Sequence, residues 1–338
     1  MSSPFVPVSF HPSATAHDRE VPLVLDSPHS GTFYPADFRT VVPMAALRMA
    51  EDTHIEKLYA RAPGLGATLI AAEFPRSYID PNRSLLDIDP ALLDKPWPGP
   101  VNASKKTEKG VGLIWRKLDS GEDLYDRKLG VAEVQARIGT CYAPYHKALR
   151  DALNAAHKHY GAVWHLDCHS MSALSGLAAE EGPGIARADF VLGDRDGTTC
   201  APEFTAFVAT TLRGFGYDVR INDPYKGVEL VRAYSDPEGN RHSLQIEVNR
   251  KLYMNEATRE PNGNFAKLQD DLTRLVEAVA DYVRQHLPGH DHHRDCGHDH
   301  GHHHGHEHGH KHEHGHDHGH GHEHDHGHGH GHKHDHKH

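Results

Sequence analysis

Apolar positions along the chain fall into two periods. VPLVLDSPHSG (residues 21–31) is a short apolar run that stops at Ser, Pro and Gly, the pattern of a buried strand opening into a loop, with His29 just past the strand's end. GATLIAAEF (66–74), AVWHLDCHSM (162–171), FVLGDRDG (190–197) and YDVRIND (217–223) read as further strands. HSLQIEVNR (242–250) alternates Leu244, Ile246 and Val248 with polar residues, so Glu247 faces away from them, with Gln245 and Asn249, toward solvent or a polar pocket. Helical spacing appears from about Met44 to Ala62, from Asp126 to Tyr160 with an interruption near Pro144, around Glu203 to Phe215, and from Asn264 to His286. Residues 86–122, rich in Pro, Gly, Lys and Asp, predict a long excursion, a lid or a small insertion. Strands interleaved with helices predict an α/β layered domain with functional residues at strand ends.

Composition changes this picture at one end of the chain. Of 36 histidines in 338 residues, 25 lie at or after His290, alternating with Gly, Asp, Glu and Lys. Such a segment has no apolar side chains to bury and predicts a disordered tail, so the expected division is one domain over 1–287 and a tail over 288–338. The net charge of −11 is shared between the two parts, and no basic stripe marks a nucleic-acid surface. Four irregularly spaced cysteines suggest neither a disulfide framework nor a zinc knuckle. No basic leader and no run of 18 apolar residues is present, so the expectation is a soluble cytoplasmic protein without a membrane partner.

Four polar stretches, SPHSG, AEDTH, LDCHS and LQIEVNR, stand at predicted strand ends or at a helix start. They supply His29, the pair Glu51 and Asp52, His169 and Glu247. Two imidazoles and a carboxylate, with a position left for water, is a composition found in catalytic zinc sites, and a further carboxylate would move the water's proton to a leaving group. Each residue also has a plain structural reading: hydrogen-bonding histidines after strands, and acids favoured by the dipole of a helix's first turn. FPRSYIDPNRS (74–84) adds Arg76, Asn82 and Arg83, and Arg250 follows Glu247 by three. Guanidinium groups pair with carboxylates at two points, so arginines beside a metal suggest an anionic substrate, against the alternative of surface ion pairs.

Taken in order, VLDSPHSG, EDTHIEKLY, FPRSYIDPNRS, LDCHSM, RINDPYKG and SLQIEVNRKLYMNE resemble the N-formylglutamate amidohydrolase family over roughly residues 20 to 285. The resemblance implies a three-layer α/β/α sandwich around a mixed sheet, similar to zinc-dependent exopeptidases. It also implies hydrolysis of N-formyl-L-glutamate to formate and L-glutamate, a step of histidine degradation. On that basis His29, Asp52 and His169 are the expected zinc ligands and Glu247 the general acid/base. Arg76, Asn82, Arg83 and Arg250 would hold a small anionic N-acyl amino acid, and His54 would stabilise an oxyanion or orient the ligand carboxylate. One departure is Val228, where the family often has a second glycine after Gly227. The tail is expected to carry exchangeable Zn, Ni or Cu and to buffer or supply zinc. The competing reading makes the chain a metal-storage or metal-delivery protein with a non-catalytic body; a third is an amidohydrolase of another N-acyl amino acid.

Overall fold

The computed structural model describes residues 5–176, 179 and 181–289; the expected tail lies outside the described residues. Seven strands are formed among them: β1 (Val8–His11), β2 (Leu23–Ser27), β3 (Thr68–Ala72), β4 (Val163–Met171), β5 (Phe190–Gly193), β6 (Val219–Ile221) and β7 (Arg241–Asn249). They make one sheet in the order β1-β3-β2-β4-β7-β5-β6. β1 runs antiparallel to β3 and β5 antiparallel to β7, while the other pairs are parallel, so the sheet is mixed. The helices are α1 (Met44–Arg48), α2 (Ile55–Leu58), α3 (Lys105–Glu108), α4 (Val131–Arg137), α5 (Ala143–Tyr160), α6 (Pro202–Gly214), α7 (Glu229–Tyr234) and α8 (Phe265–Gln285). None is long and apolar enough to cross a membrane.

The two faces of the sheet bury different chemistry. On one, Leu25, Leu166, Ile246 and Val248 pack against side chains of α2, α6 and α8, such as Leu58, Val208 and Leu272. On the other, Val24, Ile70 and Val163 meet α4 and α5 through Val134, Tyr145, Leu149 and Leu153, completing three layers. This second face turns polar at its centre. Period-two alternation puts Asp26, His165, Asp167, His169, Ser243, Gln245 and Glu247 there, each 8% exposed or less. Polar groups at such depth must find partners in the protein or in a ligand. The switch in strand order falls between β2 and β4, whose carboxyl ends point the same way, and ligands of open α/β sheets bind at that position.

One expectation needs correction. The helix anticipated from Met44 to Ala62 is broken: α1 stops at Arg48, α2 starts at Ile55, and the intervening chain is held by tertiary hydrogen bonds such as Asp52 N–H to the His29 carbonyl, 3.0 Å. Residues 86–122 hold α3 and one short turn, and they pack on the body, since Leu113, Ile114 and Trp115 are buried and Leu113 O accepts from Asp80 N–H at 2.8 Å. The period near Pro144 is interrupted by a π-turn over Ile138–Tyr142, after which α5 continues with the proline in its first turn, where its missing N–H costs nothing. Cys141, Cys168 and Cys200 are free and buried. Val228 has φ of −123°, a value that does not call for glycine.

Candidate metal centre

β2 ends at Ser27, and the chain turns so that His29 sits over the carboxyl end of the sheet. Gly31 makes this turn possible, because a Cβ there would lie 2.4 Å from backbone atoms of Glu73 and Phe74. β4 delivers His169, which is in register with Glu247 of β7, as Asp167 is with Gln245. The broken helix delivers Asp52. His29, Asp52 and His169 are buried together and offer ligand atoms that all lie within 4.8 Å of one another.

The atoms that converge are one oxygen and two ring nitrogens. Asp52 Oδ2 is 3.1 Å from His169 Nδ1 and 3.4 Å from His29 Nδ1. Tetrahedral ligands at about 2.0–2.1 Å from zinc stand ~3.3 Å apart, so these two separations suit a shared cation. The outer nitrogen of His29 fixes its tautomer. His29 Nε2 donates to Asp80 Oδ1 at 2.7 Å, which leaves the buried Nδ1 as a lone pair without a hydrogen-bond partner. His169 Nε2 lies 2.7 Å from Asp167 Oδ1, off the line of an ideal hydrogen bond, and 3.2 Å from the Asn82 amide nitrogen. Against its burial, the carboxylates of Asp167 and Asp52 raise the affinity of this ring for protons, and Nδ1 is the nitrogen that meets Asp52. A carboxylate behind each imidazole is the arrangement that orients histidine ligands and raises their basicity.

Of Glu51 and Asp52, it is Asp52 that turns its carboxylate to the imidazoles. Glu51 accepts from Tyr34 Oη at 2.8 Å and Thr53 Oγ1 at 2.9 Å, with Arg48 at 3.4 Å, so its carboxylate faces away from the imidazoles. Burial opposes the charge of Asp52, yet the adjoining His169 and His29 rings and the charge of Arg76 hold its carboxyl well below the usual range. Asp80 is likewise held low against its burial, by His29, Arg76 and Arg83. Glu247 goes the other way: burial first, then the charge of Asp52, overcome the attraction of His169 and push it up to about 7. Its Oε1 accepts from Gln245 Nε2 at 3.0 Å.

The arginines divide by what already occupies them. Arg83 donates to the carbonyls of Val111 and Asn82, at 3.0 and 2.8 Å. Arg250 donates to Ser170 Oγ at 3.0 Å and Asp52 Oδ1 at 2.9 Å. Arg76 bonds Asp80 through Nε and one terminal nitrogen, lies over the Trp115 ring at 5.1 Å, and brings its other terminal nitrogen to 4.0 Å from Asp52. Asn82 presents its amide to His169 while its Oδ1 accepts from Leu230 N–H at 3.0 Å.

His54 is not brought into this group. Its Nε2 donates to the Arg259 carbonyl at 2.9 Å, its ring packs edge-on against Phe265, and it lines a separate cavity of about 520 Å³ beside Tyr34 and Lys57. The sequence reading passed over Asp80 and Asp167. Both stand inside the quoted motifs, and the usable signal was a second acid close to each arginine or histidine already chosen.

Comparisons with known proteins bear on this geometry. A family model described as N-formylglutamate amidohydrolase matches residues 21–254. The chain is 30% identical over 280 residues to an N-formylglutamate deformylase of Pseudomonas putida, covering 80% of this chain and 94% of that protein. A second N-formylglutamate deformylase, from Pseudomonas aeruginosa, is 30% identical over 272 residues, covering 79% and 91%. Among solved structures, an N-formylglutamate amidohydrolase from Ralstonia eutropha JMP134 is similar with 52% identity and a TM-score of 0.79, over 83% of this chain and 99% of that one.

Proposed function

The chain belongs to the N-formylglutamate amidohydrolase family, and on that premise we propose that it hydrolyses N-formyl-L-glutamate to formate and L-glutamate with a zinc ion held by His29, Asp52 and His169. The observation that carries the reading is geometric: three buried ligand atoms within 4.8 Å of one another, with the buried Glu247 in register beside His169 and its carboxyl raised by burial. A general base works best with a pKa near the working pH.

A bound zinc supplies Lewis acidity, polarising the formyl carbonyl and making water more acidic. Glu247, as the carboxylate, takes a proton from the attacking water and returns it to the departing amide nitrogen, so that formate leaves from a neutral amine. Gln245 holds Glu247 in place through Oε1, leaving the other oxygen to face the reaction. Arg76, whose outer nitrogen has only the distant Asp52 as an ion-pair neighbour among the described residues, donates from that nitrogen to a substrate carboxylate while its face rests on Trp115. Asn82, Arg83 and Arg250 complete the binding wall, and their existing bonds keep it rigid before substrate arrives. His54 acts from outside, holding the turn after Asp52. The His-rich segment after residue 289 buffers zinc for this site, a role its composition suits.

Formate release from N-formyl-L-glutamate by zinc-loaded protein, beside Glu247→Ala, tests the reading. Turnover that disappears in the variant is expected. Absence of turnover in the parent, with other N-acyl amino acids also untouched, would refute it in favour of metal handling.

A further inference from the structure

Arg259 is 5% exposed, yet no carboxylate pairs with its guanidinium among the described residues. Burying a charge in this way costs several kcal/mol unless its donors are used well. Those donors go to one short stretch of chain. Nε donates to Thr53 Oγ1 at 2.8 Å, and one terminal nitrogen donates both to the same Oγ1 and, at 2.6 Å, to the Glu51 carbonyl. The remaining terminal nitrogen has no hydrogen-bond partner among the described residues. The Arg259 carbonyl accepts from His54 Nε2, and both residues have positive φ, 62° and 73°, a conformation that side chains with a Cβ adopt only when the surroundings enforce it. Tyr253 Oη adds a hydrogen bond to the Thr53 carbonyl at 3.0 Å.

Glu51, Thr53 and His54 are therefore all gripped from one segment, and the residue between them is Asp52. Its Oδ1 is taken by Arg250, and only Oδ2 is turned to the imidazoles. Metal–ligand distances tolerate about ±0.2 Å, so a loop free to shift by an ångström would not hold a ligand.

We infer that Arg259 is a positioning residue that locks the Glu51–His54 turn and thereby sets the affinity of the site for its metal. The inference rests on the metal reading above. It concerns a residue outside the matched family segment, which ends at residue 254.

The test uses full-length protein in chelator-buffered free zinc, so that the histidines after residue 289 do not alter the free concentration. Two quantities are read: the free-zinc midpoint for activity, and the zinc-induced rise in Tm of the cooperative unfolding transition. In Arg259→Met the midpoint is expected to move up by roughly 10–100-fold, as for other residues that orient metal ligands, with kcat and KM at saturating zinc nearly unchanged. Arg259→Lys, with one donor group for two acceptors, should fall between. An unchanged midpoint in folded Arg259→Met, even with a lowered metal-free Tm, would reduce the residue to a structural role and overturn the inference. If Arg259→Met does not fold, Thr53→Val removes the hydroxyl that accepts from Arg259 and donates to Glu51, and the same shift in midpoint is then required of it, with Glu51→Gln as the control for the Glu51 contact alone. A parent whose activity and Tm both ignore zinc would sink the metal reading itself, an outcome separable from a variant that merely matches a zinc-responsive parent.

Discussion

Glu247 and Asp80 are two buried carboxylates under opposite constraints. Glu247 is pushed up to about 7 by burial, so the folded state binds its proton more tightly than the unfolded chain does. That preference favours folding at low pH and is lost as pH rises from the unfolded pKa through about 7. Two consequences follow with opposite signs. In the proposed mechanism activity needs the carboxylate, so kcat/KM should fall tenfold per pH unit below the pKa that Glu247 has beside bound zinc, a profile that Glu247→Gln abolishes along with roughly 10²–10⁴-fold of the rate. Stability in the metal-free protein should instead rise in Glu247→Gln at pH 8 and be nearly unchanged at pH 4, as calorimetry of the two proteins would show. Asp80, held low by His29, Arg76 and Arg83, supports the first of these imidazoles through a 2.7 Å hydrogen bond. Asp80→Asn should weaken zinc binding by roughly 10–100-fold, measured as the free-zinc midpoint. An unaltered midpoint would mean that the tautomer of His29 is fixed by something else.

At the level of the element, the site depends on strand ends meeting a loop at close quarters. The turn after β2 passes so near the end of β3 that Gly31 has no room for a methyl group. Gly31→Ala must push the His29 loop away from Glu73 and Phe74, because backbone cannot yield as a flexible side chain does. Lowered Tm and lost zinc binding are expected together, whereas retained zinc affinity would show that the loop moves without carrying His29. α8 is a contrasting case. Its buried stripe, including Leu272 and Leu275, packs on the apolar face of the sheet, away from the chemistry. Leu272→Ala should cost about 2–5 kcal/mol in chemical denaturation while leaving kcat at 25 °C within error.

Across the whole molecule, the sheet separates an apolar face from a face whose centre is charged. Around the imidazoles stand Asp52, Asp80, Asp167 and Glu247, with Arg76, Arg83 and Arg250. Four acids against three guanidinium groups leave a site that a divalent cation makes electropositive, in keeping with an anionic substrate. The histidines after residue 289 are proposed as a second population of metal donors. Removing everything beyond Pro288 should leave kcat at saturating zinc unchanged but lower activity when total zinc is limiting, and should abolish most of the zinc bound in excess of one equivalent. Equal activity of both forms in limiting zinc would remove the buffering role.

Alternation in HSLQIEVNR and AVWHLDCHSM was enough to place Glu247 and His169 opposite the apolar stripes of their strands, because side-chain direction in a strand has a strict period of two. The ordered motifs were enough to assign the chain to a family, and with it a mixed α/β sheet. Local pattern misled over Met44 to Ala62, where helical spacing continues through a turn that is not helical, since the bonds that break it come from His29 and Arg259, far away in the chain. The same limit hid the choice between Glu51 and Asp52, the outward placement of His54, and the roles of Asp80 and Asp167. Which face a strand residue takes follows from its neighbours in sequence. Which nitrogen of a histidine stays free, and which of two adjacent acids meets it, is decided by partners between 17 and 117 residues away, and only the folded chain brings them together.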